Sequence, residues 1–222
     1  MMPTVSLAKE GQEGRDETEV RARILDAAFA AFMKSGYAAT STLEIATRAR
    51  VSKRELYALV GNKKELLIAC ISARATRLQV PADLPVPHDR ETLAQVLTSL
   101  GTQLVREITD PTVIAVFRLA IAEAVHAPEV AQALDSIGRE TSRAALRQIM
   151  GQAQTSGLLE GRPAELAELF GGLLWGNLMV SLLLGVAEQP NSRELAARAR
   201  AATAAFLQLH PLPINAAPRR RT

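Results

Sequence analysis

Apolar residues recur at helical spacing along almost the whole chain, and no clear run of alternating β-branched residues breaks that rhythm. The periodicity points to an all-α fold. "ILDAAFAAFMKSGY", residues 24–37, places Ile24, Leu25, Ala28, Phe29 and Phe32 on one stripe of a helix starting near Glu19. Gly36 can take the left-handed conformation that ends it. "TSTLEIATRA" follows as a helix of about two turns, with Ser41 or Thr42 as cap and Leu43, Ile45, Ala46 and Ala49 expected on its buried side. "ARV" then makes a tight turn, and Ser52 with Glu55 opens a third helix as a capping box. Two helices joined in this way form a helix-turn-helix. Asn62 and Glu65 offer the cap of a fourth helix that runs to about Gln79, where Pro81, Pro85 and Pro87 stop it.

"VPADLPVPHD" therefore reads as a linker, and the chain divides accordingly. Residues 1–17 form a loose tail, 18–66 a three-helix helix-turn-helix module whose fourth helix continues to about 80, 81–210 a larger helical domain, and 211–222 a basic tail. Five helices are expected in the larger domain, at Arg90–Glu107, Pro111–His126, Pro128–Ser156, Pro163–Ala187 and Ser192–Leu209.

The net charge of +3 over 222 residues is too small to imply a partner, so the distribution of charge matters more. Residues 48–67, "RARVSKRELYALVGNKKELL", hold six cations, Arg48, Arg50, Lys53, Arg54, Lys63 and Lys64, beside two carboxylates. A recognition helix presents its N-terminal residues to base edges in the major groove, and here those are Ser52, Lys53 and Arg54. Lys and Arg suit guanine; Arg54 can bond it in bidentate fashion, while Lys53 can read a base or anchor a phosphate.

Over residues 20–67 the chain resembles the DNA-binding domain of the TetR/AcrR family of bacterial transcriptional regulators. The resemblance is carried by "ILDAA", the "F…GY…T" junction, the "IA…A.VSK..LY" core and the "G.K.EL" entry to the fourth helix. Beyond Pro81, "FRLAIAEAVHAPEVAQAL" is similar to one class of that family's regulatory domains. The resemblance implies a homodimeric repressor with a ligand-sensing core. It also implies that Thr42, Tyr57 and Lys63 touch the DNA backbone. Two positions depart from the pattern: Arg50 stands in the turn where glycine is common, so it either takes a strained left-handed conformation or alters the turn, and "LYALV" replaces "LYRHF", so Ala58 and Leu59 supply no phosphate donors.

The last two helices have the makings of a dimer interface. Gly172 and Gly176 lie four apart, and Leu195, Ala199, Ala202, Phe206 and Leu209 form a seam of heptad-like spacing. Closure of the monomer core is the competing use of the same seam. For an effector pocket, the candidates are Phe117, Glu123, His126, Trp175, Asn177 and Met179, polar or large residues inside apolar helices. The expected effector is small and largely apolar.

Other classes have little support. "EAVH" gives a Glu-x-x-His pair, but no second copy accompanies it and His88 and His210 lack suitable neighbours, so no metal and no cofactor are expected. No nucleophile elbow, phosphate loop or zinc-protease motif occurs, and the Ser-x-x-Lys spacing of residues 6–9 falls in the tail; the chain is not expected to be an enzyme. No secretory signal is visible, and the lone Cys70 fits a reducing, cytoplasmic setting. Residues 170–187 are uncharged and would rise roughly 27 Å as a helix. Asn177 and Ser181 interrupt them, and Glu168 and Glu188 flank them without nearby Lys or Arg, so a buried helix is expected and no membrane. The remaining rival is a helical sensor or scaffold that binds no specific DNA.

Overall fold

The computed structural model describes residues 6–75 and 85–212, and within them every regular element is helical. The elements are α1 (Ser6–Ser35), α2 (Thr42–Ala49), α3 (Lys53–Leu59), α4 (Lys63–Ala75), α5 (Arg90–Ile108), α6 (Pro111–Glu123), α7 (Pro128–Ala133), α8 (Glu140–Thr155), α9 (Pro163–Trp175), α10 (Leu178–Leu184) and α11 (Ser192–Leu209). A π-helical turn, Leu134–Arg139, joins α7 to α8. Most of the proline linker, the extension of α4 expected beyond Ala75 and the basic tail from residue 213 lie outside the described residues.

The chain divides into two compact units, residues 1–74 with 115–137, and residues 75–114 with 138–222. This corrects the expected boundary at residue 81. Val116, Leu119 and Ala120 of α6 and Val130, Ala133 and Leu134 after it are buried in the same apolar cluster as Ile24, Phe32, Ile45, Leu56 and Leu66. Burial of apolar area against the nearest apolar face decides unit membership, and order along the chain does not. The chain passes between units at residue 74, within α6 and within the π-helical turn.

In the first unit, α1 opens at Ser6, well inside the expected tail. After Pro3 that stretch holds mostly strong helix formers, including Leu7, Ala8, Lys9, Glu10, Gln12 and Glu13, and each residue added to a formed helix gains a hydrogen bond. α1 ends as expected at Gly36, whose φ of +81 suits a residue without a Cβ. Ser41 caps α2 by accepting from the Glu44 N–H at 3.1 Å. Arg50 closes α2 in the left-handed region, φ 57 and ψ 45, the first of the two outcomes expected of an arginine at this turn. Its N–H reaches Thr47 O at 3.2 Å and the Val51 N–H reaches Ala46 O at 3.0 Å, which satisfies two orphan carbonyls.

The second unit is a helical bundle around Leu97, Leu100, Leu104, Ile149, Phe170, Leu174 and Phe206. The rings of Phe170 and Phe206 meet edge to face, 5.5 Å apart at 83°. Gly101 lets helices approach: a Cβ there would lie 3.4 Å from Phe170 and Leu174 and 3.5 Å from Ala199. α5 and α11 each open on a full capping box, Asp89 with Thr92 and Asn191 with Glu194.

The single helix expected over 163–187 is two helices bent by 52°. Gly176 makes the break at φ 47 and ψ −134, and Arg198 of α11 donates to the freed carbonyls of Leu174 and Trp175 at 3.3 and 3.4 Å. No single helix among the described residues is long and apolar enough to cross a membrane; the bent pair is, by length and composition. One face of α9, Leu166, Ala167, Phe170, Gly171 and Leu174, is buried in the bundle.

Candidate nucleic-acid interface

The helix-turn-helix is positioned by small local devices. Ser52 caps α3 by accepting from the Glu55 N–H at 3.0 Å, and Leu56 is the one residue of α3 buried in the unit's core. With Leu56 pointing inward and Leu59 packed partly against the same core, the remaining residues of this seven-residue helix face outward: Lys53, Arg54, Glu55, Tyr57 and Ala58 are all exposed. The Lys53 ammonium lies 5.8 Å from the Tyr57 ring centroid. Tyr57 in turn brings its hydroxyl to 3.4 Å from that of Thr42. Thr42, Lys53 and Tyr57 therefore share one surface, where the first turn of α2 meets the first turns of α3.

Arg50 and Arg54 are exposed, and among the described residues neither guanidinium has a hydrogen-bond or ion-pair partner. Arg48 reaches Glu44 at 3.8 Å, an exposed pair of small energetic weight. Arg23 of α1 donates to Ala49 O at 3.2 Å and holds the end of α2. Leu43, expected in the core, is 63% exposed. Ile45, Ala46 and Ala49 fill the inward face of α2, and at 100° per residue Leu43 falls outside that arc.

Lys63 has a different setting from that expected of a DNA-backbone contact. Its ammonium donates to Ala38 O at 3.0 Å and lies 4.6 Å over the Tyr37 ring. The same α1–α2 corner is held from the other side by α6. Glu123, 9% exposed, accepts the Ala38 N–H through Oε1 at 3.2 Å. A Cβ at position 36 would stand 2.9 Å from that oxygen and push the Glu123 carboxylate aside, while the φ of +81 is what calls for glycine. The buried Tyr37 bonds Glu129; burial first, then the carboxylates of Glu129 and Glu123, push its hydroxyl above the usual tyrosine range. Sequence reading missed this latch because its partners are 85 residues apart and no local period links them.

The two family models that match cover most of the chain. Residues 24–70 match that of the bacterial regulatory proteins of the tetR family, and residues 95–210 match the C-terminal domain of AefR-like transcriptional repressors. The chain belongs to the TetR family. That family consists of DNA-binding transcriptional regulators, not enzymes. The HTH-type transcriptional repressor SCO4008 of Streptomyces coelicolor is 38% identical over 75 residues, which is 34% of this chain and 38% of that protein's length. A TetR regulator from Agrobacterium tumefaciens superimposes with a TM-score of 0.72 at 28% identity, over 86% of this chain and 95% of its own. The flavonoid-responsive regulator FrrA does so with 0.74 at 28%, over 89% and 99%.

The remaining candidates of this TetR-family chain divide unevenly. Leu195, Ala199, Ala202 and Phe206 are buried in the second unit's core, Ala199 and Phe206 completely, so a dimer partner has nothing of them left to cover. Gly172 and Gly176 are exposed, and nothing lies within 4 Å of a Cβ built on Gly172. Of the effector candidates, Phe117, Glu123 and His126 belong to the first unit and Trp175, Asn177 and Met179 to the second. Glu123 is engaged by the latch, His126 and Asn177 are exposed, and Phe117, Trp175 and Met179 are half-buried. The outward groove of the second unit, lined by Leu173, Leu178, Ala197, Ala201 and Ala205 among others, contains none of the six.

Proposed function

We propose that this TetR-family regulator is a cytoplasmic homodimeric repressor that holds a palindromic operator and leaves it when a small, largely apolar effector binds the second unit. The observation that carries the reading is the exposed first turn of α3, where Ser52, Lys53 and Arg54 stand at the positive end of a helix beside the Thr42–Tyr57 pair. Arg54 bonds a guanine edge, worth about 1–3 kcal/mol of discrimination. Lys53, Tyr57, Thr42 and Arg50 set register on phosphates and sugars. Lys63 is a positioning residue, since its ammonium is held by Ala38 O.

One recognition helix this short makes too few contacts for specificity, and a two-fold pair places two of them about one DNA turn apart. The dimer face is reassigned from the buried seam to its outward neighbour on the same helices. Gly172 and Gly176 of α9 with Ala197, Ala201 and Ala204 of α11 are exposed and small, which suits close approach of the same pair from a second subunit. Leu169, 40% exposed, adds apolar area to that face.

An effector in the second unit reaches the DNA-binding unit through the elements that pass between them, α6 above all, whose end carries Glu123 and the latch on the α1–α2 corner. Trp175 and Met179 remain the candidates for effector contact, and the likeness to a flavonoid-responsive regulator favours an aromatic effector. The reading is tested by selecting bound duplexes from a random pool. An inverted repeat is expected, with affinity that falls steeply with salt and is abolished by Lys53→Glu with Arg54→Glu. Binding that survives that charge reversal, or a protein that is monomeric at micromolar concentration, overturns it and leaves the helical scaffold. Trp175 emission followed during effector titration must change in step with release of DNA.

A further inference from the structure

We infer that Leu43 reads the 5-methyl group of a thymine in each operator half-site, an inference that rests on α3 entering the major groove. A leucine with 63% of its surface in water is out of place on a short helix whose other apolar side chains, Ile45, Ala46 and Ala49, are all buried. It adjoins Thr42, whose hydroxyl lies 3.4 Å from that of Tyr57, and Tyr57 lies under the Lys53 ammonium. Leu43 thus stands exposed beside the Thr42 and Tyr57 hydroxyls and the Lys53 ammonium, while the neighbouring Glu44 carboxylate is turned to Arg48 at 3.8 Å.

Charge complementarity identifies what covers that surface. Lys53, Arg54 and Arg50, on α3 and at the turn before it, are exposed beside the single carboxylate of Glu55, so the net charge is positive and the occupant anionic; an apolar protein face or a second copy of this cationic patch would leave those charges opposed or unpaired. Duplex DNA supplies the required combination. Its backbone answers the cations, and its major-groove edge carries one apolar group, the thymine methyl. Leucine can offer that edge no hydrogen bond, so any selectivity it adds is for thymine. Thr47, one turn on and exposed, directs its own hydroxyl to Leu43 O at 2.9 Å and so leaves the leucine as the apolar contact of that face.

The test uses the full-length protein and the selected operator, with each thymine of the half-site replaced in turn by uracil, which removes the methyl and nothing else. For the wild type, one position per half-site should lose affinity about fourfold, the equivalent of one buried methyl group. Leu43→Ala should bind the unmodified operator more weakly and show no loss at that position, with an unchanged melting temperature because the side chain is exposed. A variant that keeps the same uracil penalty, or a wild type indifferent to every uracil, overturns the inference while leaving the repressor reading intact. If no duplex is bound selectively, both fail together.

Discussion

α3 and α11 both begin on a side-chain cap and both carry residues marked by the sequence as contact surfaces, yet they orient those residues oppositely. α3 keeps its marked residues outside, and α11 turns them in. The difference lies in how many faces of each helix can be buried. α3 has one well-buried anchor, Leu56, and charges around it, so only one orientation avoids desolvating a cation. α11 has alanines on nearly every face; Leu195 and Phe206 go inward and remove much apolar area from water, while Leu209 near its end is 60% exposed. Facing out are the small residues Ala197, Ala201 and Ala204, with Arg193 and Arg200 also exposed.

The largest expected effect tests that inversion. Phe206→Ala removes a fully buried ring that packs on Phe170, and should destabilise the second unit by about 3–5 kcal/mol in denaturant titration, to the same extent at all protein concentrations. An interface residue would instead show a concentration-dependent loss. Ala201→Glu is the converse: unfolding little changed, but a shift to monomer in sedimentation and loss of operator binding.

Removal of the latch comes next. Glu123→Ala leaves the Ala38 N–H without its partner and should cost about 1–3 kcal/mol of first-unit stability, while Glu123→Gln keeps an acceptor and loses less. Were Glu123 an effector contact, Glu123→Gln would weaken effector binding at unchanged stability, and titrating both variants separates the two. Arg54→Ala should lower operator affinity by a comparable 1–3 kcal/mol, about 5- to 150-fold, and relax preference at one base. Lys63→Met, by contrast, should act on stability and leave the salt slope nearly unchanged.

A smaller effect is expected at the turn. Arg50 is the one non-glycine residue with positive φ among those described, and the left-handed region costs an ordinary residue about 1–2 kcal/mol. Arg50→Gly should therefore raise the melting temperature modestly while weakening DNA binding and reducing its salt dependence. A gain in both stability and affinity would remove Arg50 from the DNA face.

These outcomes follow what was legible in the sequence. Caps and turns are local chemistry, so Ser41, Asn62 and Gly36 behave as their spacing implies, whereas Ser52 accepts the Glu55 N–H without the return bond from Glu55 that a capping box requires. α11 also keeps its expected limits because Asn191 and Glu194 start it. Among the features that escaped, three show why. Leu43 was assigned by residue type when the helical angle excludes it from the buried arc. The run over 163–187 is uniformly apolar, so nothing in its composition marks the backbone angle that Gly176 adopts. The latch depends on groups far apart in sequence, and no period connects Ala38 to Glu123.

The smallest expected effects concern pH, and they separate the two units by sign. Tyr37 has its hydroxyl pushed above its ordinary 10.0, first by burial and then by Glu129 and Glu123, so the folded first unit keeps a proton that the unfolded chain releases. Its stabilising contribution is complete below about pH 10 and is lost as pH rises through the folded value, and Tyr37→Phe should flatten that alkaline limb. Asp89 is shifted the other way, chiefly because its carboxylate accepts the Thr92 N–H at the start of α5. The cap of the second unit is thus fully present above the ordinary carboxylate range and is lost as pH falls through the lowered value. Acid should loosen α5 before the DNA-binding unit, and alkali should do the reverse, in amide exchange read separately for the two units. Equal loosening at both extremes would mean that the units do not unfold independently, and the stability lent by the latch would then extend beyond the first unit.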